Sequence, residues 1–520
     1  MIAYQSRDLG HTIEIKSSRG DCIESNNLQE LLNFLLTPHY PIEFLVVWNL
    51  EQFISPILKR VSLVYLQKLC DKGQSWIKES GHSITYNPKK SIHLTLGSNR
   101  ANYYQLGQFF NGDKPKNLQD LEAKGSNLLQ ELGSIGIEPW ELSSPVTIIG
   151  DLLREIKYPD SRDIPDEVGQ IAWECCGRPW VEAHKLGCFD KAYDLDIVSS
   201  FPSACAELLD LRYGKWIESD TIPEGAYYGF ARGKVNIWGK VSPIVYVNGS
   251  GKLFNPMRKW DTTLTLQEIK FIEEYKIGSF KIESGWWWIA KEVKINPFRE
   301  IIERLYKCRQ KSELLNLVTK KSMVALYGKF LQTYDNGGRL DLRFNPVYGA
   351  MVETPIRLKV AGFILNNHLE DNVIHISTDG CLLDKRVGLK DKGEMGEWRL
   401  DSSGPALVVS SGCLFYSNKR PNQITYPEAM EMIGNKPGAN NWGKESKRIF
   451  TVGDVLDSGD LEKIGQEMPI VVGFGLKNQH DRIFSELPDT GIQLLEKHYR
   501  SQPIRVSELS NPKREIQTDI

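Results

Sequence analysis

Apolar and polar positions change period several times along the chain, and each change marks an expected element. Phe44-Leu45-Val46-Val47-Trp48 is a continuous apolar run of strand length, while Ile92, Leu94 and Leu96 alternate with His93 and Thr95 like a half-buried strand. Around them, residues 28–36 and 54–70 carry apolar side chains at helical spacing, so residues 1–150 read as an α/β domain. From about residue 120 the pattern turns polar and is punctuated by Gly125, Gly133, Gly136, Pro139, Pro145, Pro159 and Pro165. Residues 151–190 therefore read as a linking region, with one or two short helices in the polar stretch. Between 213 and 288 the chain is β-rich: Tyr227-Tyr228-Gly229-Phe230, residues 235–247 and residues 280–288 are enriched in β-branched and aromatic side chains, around a helical pattern at 264–275. The Trp286-Trp287-Trp288 run is either core or a surface on which bases stack. Residues 298–331 carry the strongest helical pattern, uninterrupted by Gly or Pro until Gly328. Beyond Gly393, the residues Trp398, Leu400, Leu407, Val408 and Val409 predict closing strands, and the polar residues 511–520 a frayed end.

Two stretches place a carboxylate at the end of a strand. In Asp194 to Ser203, D-L-D-I-V-S-S-F-P-S, the residues Tyr193, Leu195 and Ile197 form one face of a buried strand before the chain turns into a helical run. In Val373 to Leu383, V-I-H-I-S-T-D-G-C-L-L, two strands flank a turn with Asp379 at its tip. Each is by itself also an ordinary corner or hairpin. The helical segment 298–331 adds Arg299, Arg304, Lys307, Arg309, Lys311, Lys320, Lys321 and Lys329. Lys320, Val324, Tyr327 and Leu331 share one face of it, so Lys320, with Arg309 or Lys311 nearby, offers cations on a rigid support for a triphosphate. A solvated basic face is the plainer reading.

Composition narrows the classes. Hydrophobic residues make up 41% and charged residues 25%, with 64 Lys and Arg against 66 Asp and Glu. With a formal net charge of −2, any nucleic-acid surface must be a local patch. The nine cysteines include Cys175-Cys176 but no C-x-x-C pair, as expected of free thiols in a reducing compartment. No apolar run reaches the ~18 residues of a membrane span and Met1 opens no signal-type segment, so a cytoplasmic protein with no membrane partner is expected.

Taken together, the three stretches resemble the A, B and C motifs of family B DNA polymerases, in order. The family's Asp-x-x-Ser-Leu-Tyr-Pro-Ser falls on Asp196, Ser199, Ser200, Phe201, Pro202 and Ser203. Its Lys-x-x-x-Asn-Ser-x-Tyr-Gly falls on Lys320, Val324, Ala325, Tyr327 and Gly328, continuing into Lys329 and Phe330. Its Tyr-Gly-Asp-Thr-Asp-Ser falls on His375, Ile376, Ser377, Thr378, Asp379 and Gly380. Val324 and Ala325 thus replace Asn-Ser, Ser377 replaces an aspartate, and Gly380 replaces a serine. Asp194, two residues before Asp196, is a possible substitute for the missing carboxylate.

The resemblance implies an α/β and α+β multidomain fold: a right-hand palm, fingers and thumb behind an N-terminal ribonuclease-H-like domain. The implied layout is an exonuclease-like domain at 1–150, the link at 151–190, a palm at 191–297 and 332–410 with an inserted β-rich segment, fingers at 298–331, and thumb with tail at 411–520. It implies catalytic Asp196 and Asp379, two Mg²⁺ or Mn²⁺ ions held by Asp196, Asp379 and Ile197, and nucleotide contacts from Lys320, Arg309, Lys311, Ser200, Phe201 and Tyr327. Phe201 takes the place of the tyrosine that excludes a ribose 2′-hydroxyl. DNA contacts fall on Gly328, Lys329, Tyr416, Lys419 and Arg420, with Lys444, Lys447 and Arg448 as further phosphate contacts in the thumb. In the N-terminal domain the family's exonuclease acids fall on Tyr4-Gln5-Ser6-Arg7, Asn49-Leu50-Glu51-Gln52-Phe53, Gln105, and residues 140–144, where they are replaced; Glu51 and Asp8 are the nearest substitutes. The implied activity is DNA polymerisation without proofreading, with primer-template DNA, deoxynucleoside triphosphates and a protein primer or accessory replication proteins as partners. Two other readings stand beside it: a catalytically weak or inactive relative that binds DNA within an assembly, and another palm-type nucleotidyl transferase, de novo or protein-primed.

Overall fold

The computed structural model describes residues 1–36, 44–77, 80–110, 113–156, 159, 161–291, 294–334, 339–340, 343–389, 393–416, 424–456, 460–476 and 482–506. The chain folds into two compact units that do not follow linear boundaries: residues 1–155 with 304–325 and 445–471, and residues 156–303 with 326–444 and 472–520.

The first unit is built on an eight-stranded sheet. Its strand Ile2–Asp8 pairs antiparallel with Ile13–Ser17 and parallel with Leu45–Val47, which in turn pairs parallel with Asn99–Gln105. The meander Gln74–Ile77, His82–Asn87, Ser91–Leu96 and Asn99–Gln105 completes the other side. Helices Leu28–Leu35, Leu50–Leu58 and Leu63–Lys72 bury Leu31, Leu32, Leu35, Ile54, Ile57 and Leu66 against the sheet. The single helix expected over 54–70 is therefore two, because Ser62 takes an extended conformation and starts the second.

The polar stretch after residue 117 holds more helix than its glycines and prolines predict: Leu118–Gly133, Pro145–Glu155 and Asp166–Trp173. Gly125 is not a breaker. A Cβ there would come within 2.0 Å of the Met1 sulfur and 2.8 Å of Leu106, so the missing side chain lets this helix pack closely.

The second unit is centred on a further sheet, in which the strand Lys185–Ile197 pairs antiparallel with Gly380–Leu383 on one side and Trp398–Ser410 on the other. A separate four-stranded sheet of Gly214–Glu218, Gly278–Ala290, Ala226–Ile237 and Arg258–Thr265 forms the β-rich segment. The helix Leu266–Tyr275 follows it, started by a Thr265–Glu268 capping box. In the tryptophan run, Trp287 and Trp288 are fully buried, their Nε1 groups donating to Ser219 O and Leu211 O at 3.0 and 3.2 Å. These two rings are core, not a base-stacking surface. The helix Pro346–Asn366 is buried on most sides and carries Glu353 and Arg357 inside the unit.

The helical segment 298–331 is broken into Arg299–Cys308 and Glu313–Phe330. Ser312 makes the break, its hydroxyl accepting from Leu315 N at 3.0 Å as an N-cap. All nine cysteines are free thiols. Among the described residues, no helix is long and apolar enough to cross a membrane.

Candidate active site

The site forms where two loops of the second unit meet at the end of one long strand. Asp196 stands opposite Gly380, Leu195 opposite Cys381 and Asp194 opposite Leu382. The partner hairpin, Val373–Ser377 and Gly380–Leu383, closes through Thr378 and Asp379, with Ser377 paired to Gly380. Thr378 holds a left-handed φ of 39°, and its amide donates to Trp180 O at 2.7 Å. The amide of Ile197 donates to Asp379 O at 3.1 Å, which ties the hairpin tip to the end of the strand. Gly380 is required by this closeness, since a Cβ would lie 2.5 Å from the Leu195 carbonyl oxygen. Ser199, at φ 49°, then turns the chain into the helix Ser200–Ala206.

This geometry brings Asp196 and Asp379 together. Burial and the negative charge of Asp379 hold the Asp196 carboxyl above the usual aspartate range, against the opposing pull of Arg399. Arg399 was not singled out from the sequence. It lies directly opposite Asp196 in the Trp398–Ser410 strand, and its guanidinium contacts both Asp196 Oδ2 and Asp401 Oδ1 at 2.9 Å. Alternation along W-R-L-D puts Arg399 and Asp401 on one face, but only the cross-strand register places them at Asp196.

Asp379 accepts from Ser200 Oγ at 2.5 Å, so Ser200 is directed onto a carboxylate. Phe201 packs against Tyr327 with ring centroids 5.0 Å apart. The Tyr327 hydroxyl donates to Glu353, whose other oxygen accepts from Arg178 N at 2.9 Å. Burial and the Glu353 carboxylate push the Tyr327 phenol well above its usual range, so it remains a donor. Glu353 is a second group missed in the sequence, since nothing local marks a buried helical glutamate as the anchor of a ring.

The other expected residues fall differently. Lys320 is exposed on the helix Glu313–Phe330 and makes no ion pair among the described residues; it lies two turns from Tyr327 on the same face. Arg309 and Lys311 are not on that face, because both sit in the break before Ser312. Arg309 is bonded to Asn316 Oδ1 at 2.9 Å and lies over the Tyr306 ring. Gly328 is exposed, and Lys329 donates to Gln332 at 2.7 Å. Tyr416 is buried, 5% exposed, with its hydroxyl bonded to Asp194, so it is not a surface DNA contact. Asp194 is likewise buried and points to Tyr416, away from the role of replacement metal ligand and from an exposed sheet edge. Lys419 and Arg420 lie outside the described residues, as does the segment 511–520. Lys444, Lys447 and Arg448 are paired with Glu428, Glu467 and Asp454.

Among the described residues no group of three or more His, Cys, Asp and Glu side chains is arranged to hold a metal. The donors available at the strand end are the Asp196 and Asp379 carboxylates and the main chain of Ile197, whose own side chain is aliphatic and buried. Two carboxylates that repel each other fit a divalent cation, which would relieve that repulsion. Arg399 partly fills this role. With Arg399→Ala, Mn²⁺ binding in the absence of DNA and nucleotide is expected to tighten by up to about tenfold, as a competing charge near ~3 Å is removed from a partly solvated site. Titration followed by the Mn²⁺ resonance signal checks this; unchanged or weaker binding would show that Arg399 is not a competitor.

In the first unit, Gln5, Ser6, Asn49, Gln52 and Phe53 line a common cavity of about 470 Å³ with Lys114 and Lys116, and among the described residues no carboxylate lines it. Glu51 points elsewhere, buried and accepting from Tyr86 Oη at 3.0 Å and Lys89 N at 2.7 Å. Asp8 accepts from Gly10 N in an exposed turn. Gln105 uses its Oε1 to accept from Leu50 N at 2.9 Å, at the start of the helix Leu50–Leu58.

Among solved structures the chain is similar to phi29 DNA polymerase. In its complex with primer-template DNA and incoming nucleotide, that protein matches with a TM-score of 0.62 and 13% identity, over 92% of this chain and 99% of the other. Its complex with single-stranded DNA matches at 0.58 and 13%, over 92% and 100%. The chain thus shares the fold of phi29 DNA polymerase. At the level of sequence, neither a family model nor a curated protein matches.

Proposed function

We propose that the chain is a template-directed DNA polymerase that adds deoxynucleotides to a primer 3′ end and lacks proofreading. The observation that carries this reading is the meeting of Asp196 and Asp379, from strands far apart in sequence, at one sheet end in this fold. Two divalent ions there would activate the attacking hydroxyl and hold the triphosphate during in-line displacement. Asp196, Asp379 and the main chain of Ile197 are their proposed holders. Lys320 meets the incoming phosphates, and Phe201, braced by Tyr327, excludes the ribose 2′-hydroxyl. Primer-template DNA and deoxynucleoside triphosphates are the proposed partners, with a protein primer or accessory replication proteins in addition; the phi29 complex holds primer-template DNA and incoming nucleotide substrates. The proposed layout keeps a palm at 191–297 and 332–410, fingers at 298–331 and a thumb from 411.

The first unit is read as a ribonuclease-H-like exonuclease domain without its chemistry. The antiparallel strands Ile2–Asp8, Ile13–Ser17 and Cys22–Ser25, followed by the parallel additions Leu45–Val47 and Asn99–Gln105, support the fold, and a cavity lined by no carboxylate among the described residues supports the loss. Purified protein is expected to extend a DNA primer with Mg²⁺ or Mn²⁺ yet leave a 3′-mismatched terminus intact in a gel-based excision assay. Excision that survives loss of polymerase activity would overturn the second half. The engagement of Asp196 by Arg399 and of Asp379 by Ser200 favours one alternative, a DNA-binding relative without catalysis. Duplex binding with no extension would select it.

A further inference from the structure

The second unit contains a cavity of about 690 Å³ at the start of the strand Lys185–Ile197, and Asp196 lies at that strand's far end. Eleven residues separate Lys185 from Asp196, roughly 35 Å along an extended strand. Among the described residues, six cations line the cavity: Lys185, Lys240, Arg258, Arg482, Arg500 and Arg505. They come from distant parts of the chain. Among the described residues, the lining carboxylates are Glu370 and Asp371.

Several of the charges are already committed. Lys185 binds Asp384 and donates to the Asp371 carbonyl, both at 2.6 Å. Arg482, 4% exposed, contacts Glu182 at 3.3 Å and donates from Nε to Ser501 Oγ at 2.7 Å. Lys240 lies 3.5 Å from Asp371. Among the described residues, even with Glu182 and Asp384 counted, cations outnumber carboxylates. Arg258 and Arg500 in particular are exposed, and their side chains make no hydrogen bond or ion pair among the described residues. His184 in the same wall is kept neutral at physiological pH, its pKa pushed down to about 4 by burial and then by the charge of Arg482.

A solvated basic face would spread its charges outward. Here like charges converge on a concave surface whose floor is desolvated, an arrangement that costs free energy unless an anion offsets it. Guanidinium forks match phosphate oxygens two at a time. Met257, Ile483 and Pro503 add an apolar wall, and the volume falls within the ~300–1,000 Å³ of small-ligand sites. We propose that this cavity binds a phosphate group, carried by a free polyphosphate or by the 5′ end of a nucleic acid strand, with Arg258 and Arg500 as its direct partners. The site is independent of whether the chain polymerises.

The test is calorimetric titration of the full-length protein with pyrophosphate and with a short oligonucleotide bearing either a 5′-phosphate or a 5′-hydroxyl. The variant is Arg258→Gln/Arg500→Gln. The control is Lys252→Gln/Lys436→Gln, which removes equal charge from exposed positions elsewhere. Wild type and control should bind a phosphate probe alike, while the arginine variant binds it about tenfold or more weakly, as loss of charge-assisted hydrogen bonds predicts. Loss with pyrophosphate assigns a free ligand; loss confined to the 5′-phosphorylated strand assigns a nucleic acid end. Primer extension and the thermal unfolding midpoint should not change in either variant. Absence of saturable binding to both phosphate probes, or equal weakening in both double variants, would overturn the proposal.

Discussion

Asp379→Asn is expected to lower primer extension by about three orders of magnitude or more, because a carboxylate that holds a divalent ion contributes several kcal/mol to the transition state and each ~1.4 kcal/mol is tenfold in rate. The substitution is nearly isosteric. An asparagine oxygen still accepts from Ser200 Oγ, and the backbone tie from Ile197 N to Asp379 O is untouched. Folding should survive. The sign of the charge effect points the same way: Asp196 titrates above its usual range because of burial and Asp379, so native stability is lost as pH rises through that raised value. Removing the Asp379 charge relieves Asp196, so the unfolding midpoint at neutral pH should stay level or rise. The decisive comparison is single-turnover extension by wild type and variant at matched duplex binding. Equal rates would remove the two-carboxylate site from the mechanism.

Phe201→Ala should relax sugar discrimination by about 10- to 200-fold, the range over which a pocket separates ligands by shape alone. The left-handed Ser199 starts the helix that carries the ring, the ring packs against Tyr327, and Tyr327 is in turn fixed by Glu353. A small side chain would open the space that the 2′-hydroxyl needs while leaving the carboxylates in place. The measurement is kcat/KM for a deoxynucleotide and its ribonucleotide counterpart on one template, with Phe201→Tyr as the variant expected to keep the barrier. Discrimination unchanged in Phe201→Ala would put the gate elsewhere. Glu353→Gln, which weakens the brace without touching the ring, should relax discrimination less.

The chain by itself determined those features whose cause is local. Period and turn chemistry gave the strand through Leu195 and Ile197, the Thr378-Asp379 tip, and a helix after Thr265. Residue identity at the resemblance positions marked Asp196, Asp379 and Phe201, and put no carboxylate at the positions near Gln5 and Asn49 where the resemblance implies exonuclease acids. Other features depend on partners distant in sequence. Ser312 could be recognised as a cap only once the helix was seen to break there, which removed Arg309 and Lys311 from the face of Lys320. Tyr416 and Asp194 both looked available until the sheet buried them against each other. Gly125 reads as a breaker unless Met1 is known to pack on it. Arg399 meets Asp196 through a cross-strand register that no local pattern encodes, since a shift of one residue would turn it to the opposite face. The arginines at 258 and 500 are ordinary surface residues along the chain and become a cluster only through the topology. Local sequence set the elements and the chemistry each could offer; long-range packing and register decided which charges face one another.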